Sequence, residues 1–436
     1  MSSNSKLKTS AFVASHGAAP ARRLQNSKLA KLVTALLDWF AKNARDLTWR
    51  RTRDPYAIWV SEIMLQQTQV KTVIPYWERW LRELPTITAV AKASPDKIHK
   101  LWEGLGYYTR ARNLQKAAKQ IVEKHGGIFP QNYDGVLALP GIGRYTAGAI
   151  CSIAFNQPTP ILDGNVIRVL TRIFGIAENP KEKETNAQLW KLAEQLVSHA
   201  KTRRSQRKTF SKNFAAFAPL REAGWCSLLN QSLMELGALV CTPRNPQCGV
   251  CPVKKLCVAF RENRVNELPN LGKREAATAR HFVAFVAERN GRFLVRQRPA
   301  GVVNADLWEF PNVEIDPVRS SSPAKRDKSA HYSGKNSQSR VMSAAAVQKL
   351  DPEIALAAEQ LGFGAYEVKP LCTIKHSITR YRITLEAFQT QLGRTSHTNS
   401  SKAGVWKTPA QMQQLAFTAA HKKLASAAFD CILSAR

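Results

Sequence analysis

The chain has 436 residues, enough for two or three domains, and 44% of them are hydrophobic, enough to fill real cores. Lys and Arg number 64 against 32 Asp and Glu, a formal net charge of +32, which fits a polyanionic partner such as nucleic acid better than a merely solvated surface. No uninterrupted apolar run approaches the roughly 18–20 residues of a membrane span, and the N-terminus lacks the compact apolar core of a secretory signal.

Residues 1–37 carry Lys6, Lys8, Arg22, Arg23, Lys28 and Lys31 and no acid. An organellar presequence and a disordered arm that helps hold DNA share this composition; the arm, over 1–28, is the expected state. From Leu29 the apolar residues recur at three and four (Leu32, Val33, Leu36, Leu37, Phe40), a helical pattern. Further helices are predicted at 57–70, 72–83, 95–103, 109–124, 133–138, 144–155, 164–174, 184–199 and 227–240. They are punctuated at Pro85, Gly104-Leu105-Gly106, Pro130 and Pro140-Gly141. A basic stretch at 201–222 interrupts the series as a loop that either touches phosphates or is simply solvated. The pattern changes after a charged linker at 263–279. Residues 281–286 and 293–295 read as strands joined by a turn at Asn290-Gly291, and 380–388 alternates again. Residues 316–346, rich in Ser, Lys and Arg, have too little apolar surface to fold. The expected architecture is a mostly α region over 29–262 followed by an α+β domain over 280–436 with a disordered insert.

Three features carry chemistry. Leu139-Pro140-Gly141-Ile142-Gly143-Arg144 lies between two helical patterns, where Gly141 and Gly143 permit a tight turn whose N–H groups and following helix dipole can clamp a phosphate. Asp163, in Leu162-Asp163-Gly164-Asn165-Val166, is either a helix N-cap or a buried functional acid. Cys241, Cys248, Cys251 and Cys257, spaced C-x6-C-x2-C-x5-C, can hold zinc or a cubane iron–sulfur cluster. One close pair flanked by single cysteines fits iron–sulfur better, and its role would be to clip a loop that has little core of its own.

In that order, the hairpin, the Asp163 motif and the cysteine loop resemble the endonuclease III, or helix-hairpin-helix, superfamily of DNA glycosylases. Within it, Val60-Ser61-Glu62-Ile63-Met64-Leu65-Gln66-Gln67-Thr68-Gln69-Val70 is similar to the signature of the MutY family of adenine glycosylases. Asp46-Leu47-Thr48-Trp49-Arg50, Gly104-Leu105-Gly106-Tyr107-Tyr108 and Glu235-Leu236-Gly237-Ala238-Leu239-Val240-Cys241 support it. The resemblance covers 29–262 densely and 280–430 more loosely. It implies two helical subdomains with a cleft between them, a 4Fe–4S cluster, and a double-stranded DNA substrate with adenine opposite 8-oxoguanine or guanine, from which the adenine is flipped out. It implies a base excision repair activity, in a soluble monomer of the bacterial cytoplasm and nucleoid, or of organelle or nucleus if eukaryotic.

The same resemblance implies residue roles. Breaking an N-glycosidic bond needs an acid near the base and an anion near the sugar. Glu62, among apolar neighbours, matches the acid, its pKa raised by burial; Asp163 matches the anion, with Tyr145 and Asn165 as polar neighbours. Arg45, Leu47, Trp49, Arg50, Leu65, Gln67 and Gln231 match positions lining the adenine pocket, and Gln66 and Tyr107 match residues that fill or wedge the helix near the opposite base. Where strand-cleaving relatives carry a Schiff-base lysine, this chain has Tyr145, so base removal without efficient strand cleavage is expected. Downstream, Arg296-Gln297-Arg298-Pro299 and Leu307-Trp308-Glu309-Phe310-Pro311 resemble a Nudix-like domain lacking the glutamate-rich metal helix, which in the family senses 8-oxoguanine. Ile378, Thr379 and Arg380 align with its Phe-Ser-His reading triplet, Thr379 keeping the hydroxyl; another register would use His376-Ser377. The competing readings are an endonuclease III-like glycosylase/lyase, a DNA-binding or redox-sensing protein without activity, and a nucleotide hydrolase.

Overall fold

The computed structural model describes residues 18–202, 224–273, 275–315, 352–361, 363, 368–378, 380–391 and 404–434. They form two compact units, Met1–Leu101 with Thr109–Arg274, and Trp102–Tyr108 with Glu275–Arg436. The expected insert at 316–346, most of the basic loop at 201–222, and Thr379 lie outside the described residues.

The first unit is helical: α1 (Ala18–Asn43), α2 (Pro55–Leu65), α3 (Val70–Glu83), α4 (Ile87–Lys92), α5 (Pro95–Trp102), α6 (Thr109–His125), α7 (Tyr133–Leu137), α8 (Arg144–Phe155), α9 (Gly164–Phe174), α10 (Lys183–Thr202), α11 (Trp225–Leu239) and α12 (Val258–Arg261). Helix α1 corrects the expected 1–28 tail from Ala18 on; residues 1–17 lie outside the described residues. It begins eleven residues early, because the alanine-rich start favours helix and Pro20 falls in the first turn, where its missing N–H costs nothing. The periodic face of α1 (Leu29, Leu32, Val33, Leu36, Leu37, Phe40) is buried against Val166, Val169 and Leu170 of α9, Leu189 and Leu196 of α10, and Leu229, Leu233 and Leu236 of α11. The expected helix at 57–70 ends at Leu65 instead, since Gln67 adopts a positive φ of 57°. Tryptophan N–H groups tie α3 to α2: Trp77 Nε1 donates to the Ala57 carbonyl at 2.9 Å and Trp80 Nε1 to Tyr56 Oη at 3.1 Å. These bonds satisfy polar atoms that burial would otherwise strand.

The second unit is a mixed sheet with one helix on one face and two on the other. Its strands are β1 (Thr278–Arg289), β2 (Arg292–Gln297), β3 (Trp308–Glu309), β4 (Asn312–Ile315), β5 (Val368–Ile378), β6 (Tyr381–Gln391) and β7 (Val405–Lys407). They run in the order β3-β2-β1-β6-β5, with β4 on β1 and β7 on β2. β1 and β6 are parallel and the other pairs antiparallel. Asn290 (φ 52°) and Gly291 (φ 70°) make the expected β1–β2 turn. Helix α13 (Pro352–Gln360) covers one face with Phe285, Phe363 and Phe388; α14 (Pro409–Gln413) and α15 (Ala419–Ser434) cover the other with Phe293, Phe310, Phe417 and Leu424. This is the α+β arrangement expected of the C-terminal region. Among the described residues, no helix is long and apolar enough to cross a membrane.

Candidate active site and cluster loop

Helix α2 starts cleanly. Asp54 caps it by accepting the Tyr56 N–H, and Pro55 stands at the first helical position. Two turns in, Glu62 lies 5% exposed among Trp59, Ile63 and Met64. Its Oε2 accepts the Tyr145 phenol at 2.9 Å, and the same hydroxyl lies 3.4 Å from Met234 Sδ. Burial pushes the Glu62 carboxyl up to about 7; the Asp163 charge adds to the rise, while Tyr145 and Arg50 oppose it. A buried carboxyl that titrates near neutrality, with a neutral partner, can carry and donate a proton.

Tyr145 stands in the first turn of α8, directly after the hairpin. Gly141 has φ 77°, and a Cβ there would come within 2.5 Å of Asn113 Cβ, so only glycine fits. Gly143 caps the helix and faces open space, with nothing within 4 Å of an added Cβ. That leaves its backbone accessible at the positive end of the α8 dipole.

Asp163 fulfils the N-cap reading: its Oδ1 accepts the Val166 N–H at 2.8 Å. Its other oxygen accepts Asn165 Nδ2 at 2.9 Å. Burial raises its pKa, and the bonds from Val166 and Asn165 oppose that rise. From Asn165 a chain of bonds runs on. Arg168 Nη2 donates to Asn165 Oδ1 at 2.9 Å and to the Gly237 carbonyl at 2.7 Å, and Arg168 Nε donates to the Cys241 carbonyl at 2.7 Å. Asp163 is thereby linked through two side chains to the first cysteine of the loop.

The predicted pocket residues separate into groups. Arg45 and Arg50 converge on Glu235, the one acid of α11, in paired bonds of 2.7–3.1 Å. Burial opposes ionisation of Glu235, yet the two guanidiniums outweigh it and hold its carboxyl down at about 2. Leu47 and Trp49 are buried, Trp49 edge-on to Trp77 at 6.2 Å. Leu65 and Gln66 are half-buried, with Gln66 Nε2 at 3.4 Å from Thr146 Oγ1, while Gln67 is exposed. Gln231 is buried and its amide donates to Ser227 within α11, at 3.1 Å. Tyr107, 44% exposed with φ 49°, belongs to the second unit. Around the aligned lesion triplet, Ile378 ends β5 and Arg380 reaches Tyr381 Oη at 3.3 Å; His376 and Ser377 sit inside the β5 ladder.

Sequence reasoning assigned no role to three residues. Glu235 is signalled by a lone acid in an apolar helix. Arg168 and Arg110 carry no comparable local mark. Arg110 Nη1 donates to the Ile63 and Met64 carbonyls at 3.0 Å and to the Gln66 carbonyl at 2.5 Å, holding the end of α2 and the left-handed turn at Gln67.

Cys241, Cys248, Cys251 and Cys257 line one cavity with Val169, Ile173, Leu236, Val240 and Val253 as its apolar wall. Arg172 Nη1 lies 3.4 Å from Cys241 Sγ, a cation beside the thiol set. Among the described residues, no three His, Cys, Asp or Glu side chains converge tightly enough to grip a single metal ion. Four thiols around one shared cavity are a donor set that suits a cubane iron–sulfur cluster.

Comparison with known proteins agrees. Residues 60–195 match the HhH-GPD superfamily base excision DNA repair protein family, 241–257 the iron-sulfur binding domain of endonuclease III, and 282–427 the NUDIX domain. An adenine DNA glycosylase of Buchnera aphidicola (subspecies Schizaphis graminum) is 35% identical over 280 residues, covering 64% of this chain and 74% of that protein. The chain belongs to the adenine DNA glycosylase family. Family members from Arabidopsis thaliana (40% identical over 328 residues) and Rattus norvegicus (38% over 334) match 66% and 65% of this chain. Those matches span only 48% of the Arabidopsis protein and 60% of the rat protein. As an adenine DNA glycosylase family member with this loop, the chain is a 4Fe–4S protein; Cys241, Cys248, Cys251 and Cys257 are the residues that would hold the cluster.

Proposed function

We propose that the protein is a monofunctional adenine DNA glycosylase of base excision repair, acting as a monomer on double-stranded DNA with adenine opposite 8-oxoguanine or guanine. The observation that carries this reading is the buried Glu62 carboxyl, pushed up to about 7 and bonded to Tyr145 rather than to a cation. Protonated Glu62 donates to a ring nitrogen of the flipped adenine, which makes the base a competent leaving group. The C1′–N bond breaks, the electron pair leaves with adenine, and the carboxylate of Asp163 stabilises the cationic sugar until water adds at C1′ and gives its proton to the Glu62 carboxylate. Tyr145 and Asn165 hold the two carboxylates in place. Arg45, Leu47, Trp49, Arg50, Leu65, Gln67 and Gln231 form the base pocket; Gln66 and Tyr107 occupy the helix beside the opposite base, and Thr379 reads the lesion. Gly141 and Gly143 clamp a phosphate. The cluster fixes the 241–257 loop and takes no part in bond breaking. Tyr145 offers no amine for a Schiff base, so strand cleavage does not follow.

The test is a duplex with one adenine opposite 8-oxoguanine, scored for breaks with and without hot alkali. Breaks only after alkali are expected, with Glu62→Gln and Asp163→Asn each slowing release by at least about a thousandfold. An absence of alkali-labile sites with cluster-loaded protein would sink the proposal. Breaks without alkali, trapped by borohydride, would instead favour the lyase.

A further inference from the structure

Seven residues from the middle of the helical sequence, Trp102–Tyr108, are grouped with the C-terminal sheet unit. The segment is a sharp turn: Gly104 has φ 109°, Gly106 φ 70° and Tyr107 φ 49°, and Trp102 Nε1 donates to the Gly106 carbonyl at 3.1 Å. Ahead of it stands Glu103, whose side chain is 6% exposed. A carboxylate so far from water persists only where its oxygens are bonded. Oε1 accepts the Phe417 backbone N–H at 3.2 Å, and Oε2 accepts Lys422 Nζ at 2.8 Å. Both partners are anchored. Phe417 bridges to Trp308 of β3 and packs its ring on Phe310, and Lys422 lies in the first turn of α15. No step of base removal uses Glu103.

We infer that Glu103 is a positioning residue: it fastens the Gly104–Tyr108 turn, and so the exposed Tyr107 ring, to the start of α15. The turn and the sheet domain then meet DNA as one body, and what the sheet domain senses at the opposite base is transmitted to Tyr107. This rests on the reading above that Tyr107 and the C-terminal domain both face the opposite base.

Two measurements on the full, cluster-loaded chain separate the inference from that reading. The first is hydrogen exchange of the 104–108 amides without DNA. Lys422→Met and Glu103→Gln are each expected to raise it by about fivefold, Glu103→Ala by more, and Lys422→Arg not at all, with β1 amides unchanged as a control for global unfolding. Unchanged exchange in all of these variants overturns the fastening, whatever the activity. The second is the ratio of single-turnover adenine release opposite 8-oxoguanine to that opposite guanine. It is expected to fall by about fivefold in Lys422→Met and Glu103→Gln and to be retained in Lys422→Arg. An unchanged ratio alongside faster exchange overturns the transmission. If the wild type releases no adenine while exchange responds as expected, the fastening stands and the reading of function falls.

Discussion

Among the described residues, both regions bury a glutamate against two arginines, and the helical region also buries one against a phenol. In the sheet domain, Glu309 is 2% exposed and bonded to Arg296 and Arg298. In the helical unit, Glu235 is 1% exposed and gripped by Arg45 and Arg50. Ion pairs of this kind fix geometry, and at Glu235 the two guanidiniums also hold the carboxyl down at about 2. Glu62 is equally buried, yet its bonded partner is Tyr145, so it can change protonation near neutral pH. The difference teaches what sets a buried carboxyl's pKa: bonded guanidiniums hold it down at Glu235, whereas at Glu62 burial beside a phenol raises it to about 7.

The comparison breaks most visibly if Glu235 is neutralised. Glu235→Gln leaves two guanidiniums without their counter-charge, and Arg50 then pulls harder on Glu62. Adenine release is expected to slow about a hundredfold and its alkaline limb to move to lower pH. Glu309→Gln is expected to cost similar stability while release opposite guanine stays within about threefold. Equal kinetic losses in the two variants would show that Glu309 is no mere anchor.

A second test uses stability. A carboxyl whose folded pKa lies above its unfolded 4.5 penalises the folded state progressively from pH 4.5 to about 7 and fully above that. Glu62→Gln removes this penalty. Urea unfolding should therefore show the variant more stable by roughly 3 kcal/mol at pH 8 and unchanged at pH 4. A variant less stable at pH 8 would mean that Glu62 is a structural anion. The smallest effect is expected of Tyr145→Phe, which deletes a bond favouring ionised Glu62. The alkaline limb of the rate profile should rise by about half a unit to one unit, and a downward move would contradict the assigned bond.

Local signals made much of this legible. Glycines at positive φ, thiols at short spacing and apolar periodicity act within a few residues, so the hairpin, the cysteine loop and most helices can be read directly from the sequence. The Asp163 motif shows its N-cap role for the same reason. The Arg45 and Arg50 fork is opaque because its partner Glu235 lies 190 and 185 residues away. Likewise the bonds of Arg110 reach back 44–47 residues to the end of α2, which no local pattern reveals. Glu62 was legible only by resemblance: a glutamate in an apolar helix does not announce whether its partner is an arginine or a tyrosine. The early start of α1 is hidden because the basic side chains at Arg22 and Arg23 suggest a solvated arm, while the alanines at 18, 19 and 21 favour helix.

The four thiols occupy seventeen consecutive residues, 241–257, at the carboxyl edge of the helical unit, which closes at Arg274. A ribosome extrudes them in a single short passage, after every helix of α1–α11 and before any strand of the sheet. Iron and sulfide delivered at that moment would seal the newly completed helical fold while the C-terminal half is still being translated. Chain order thus makes all four ligands of one domain available before the other domain has been synthesised.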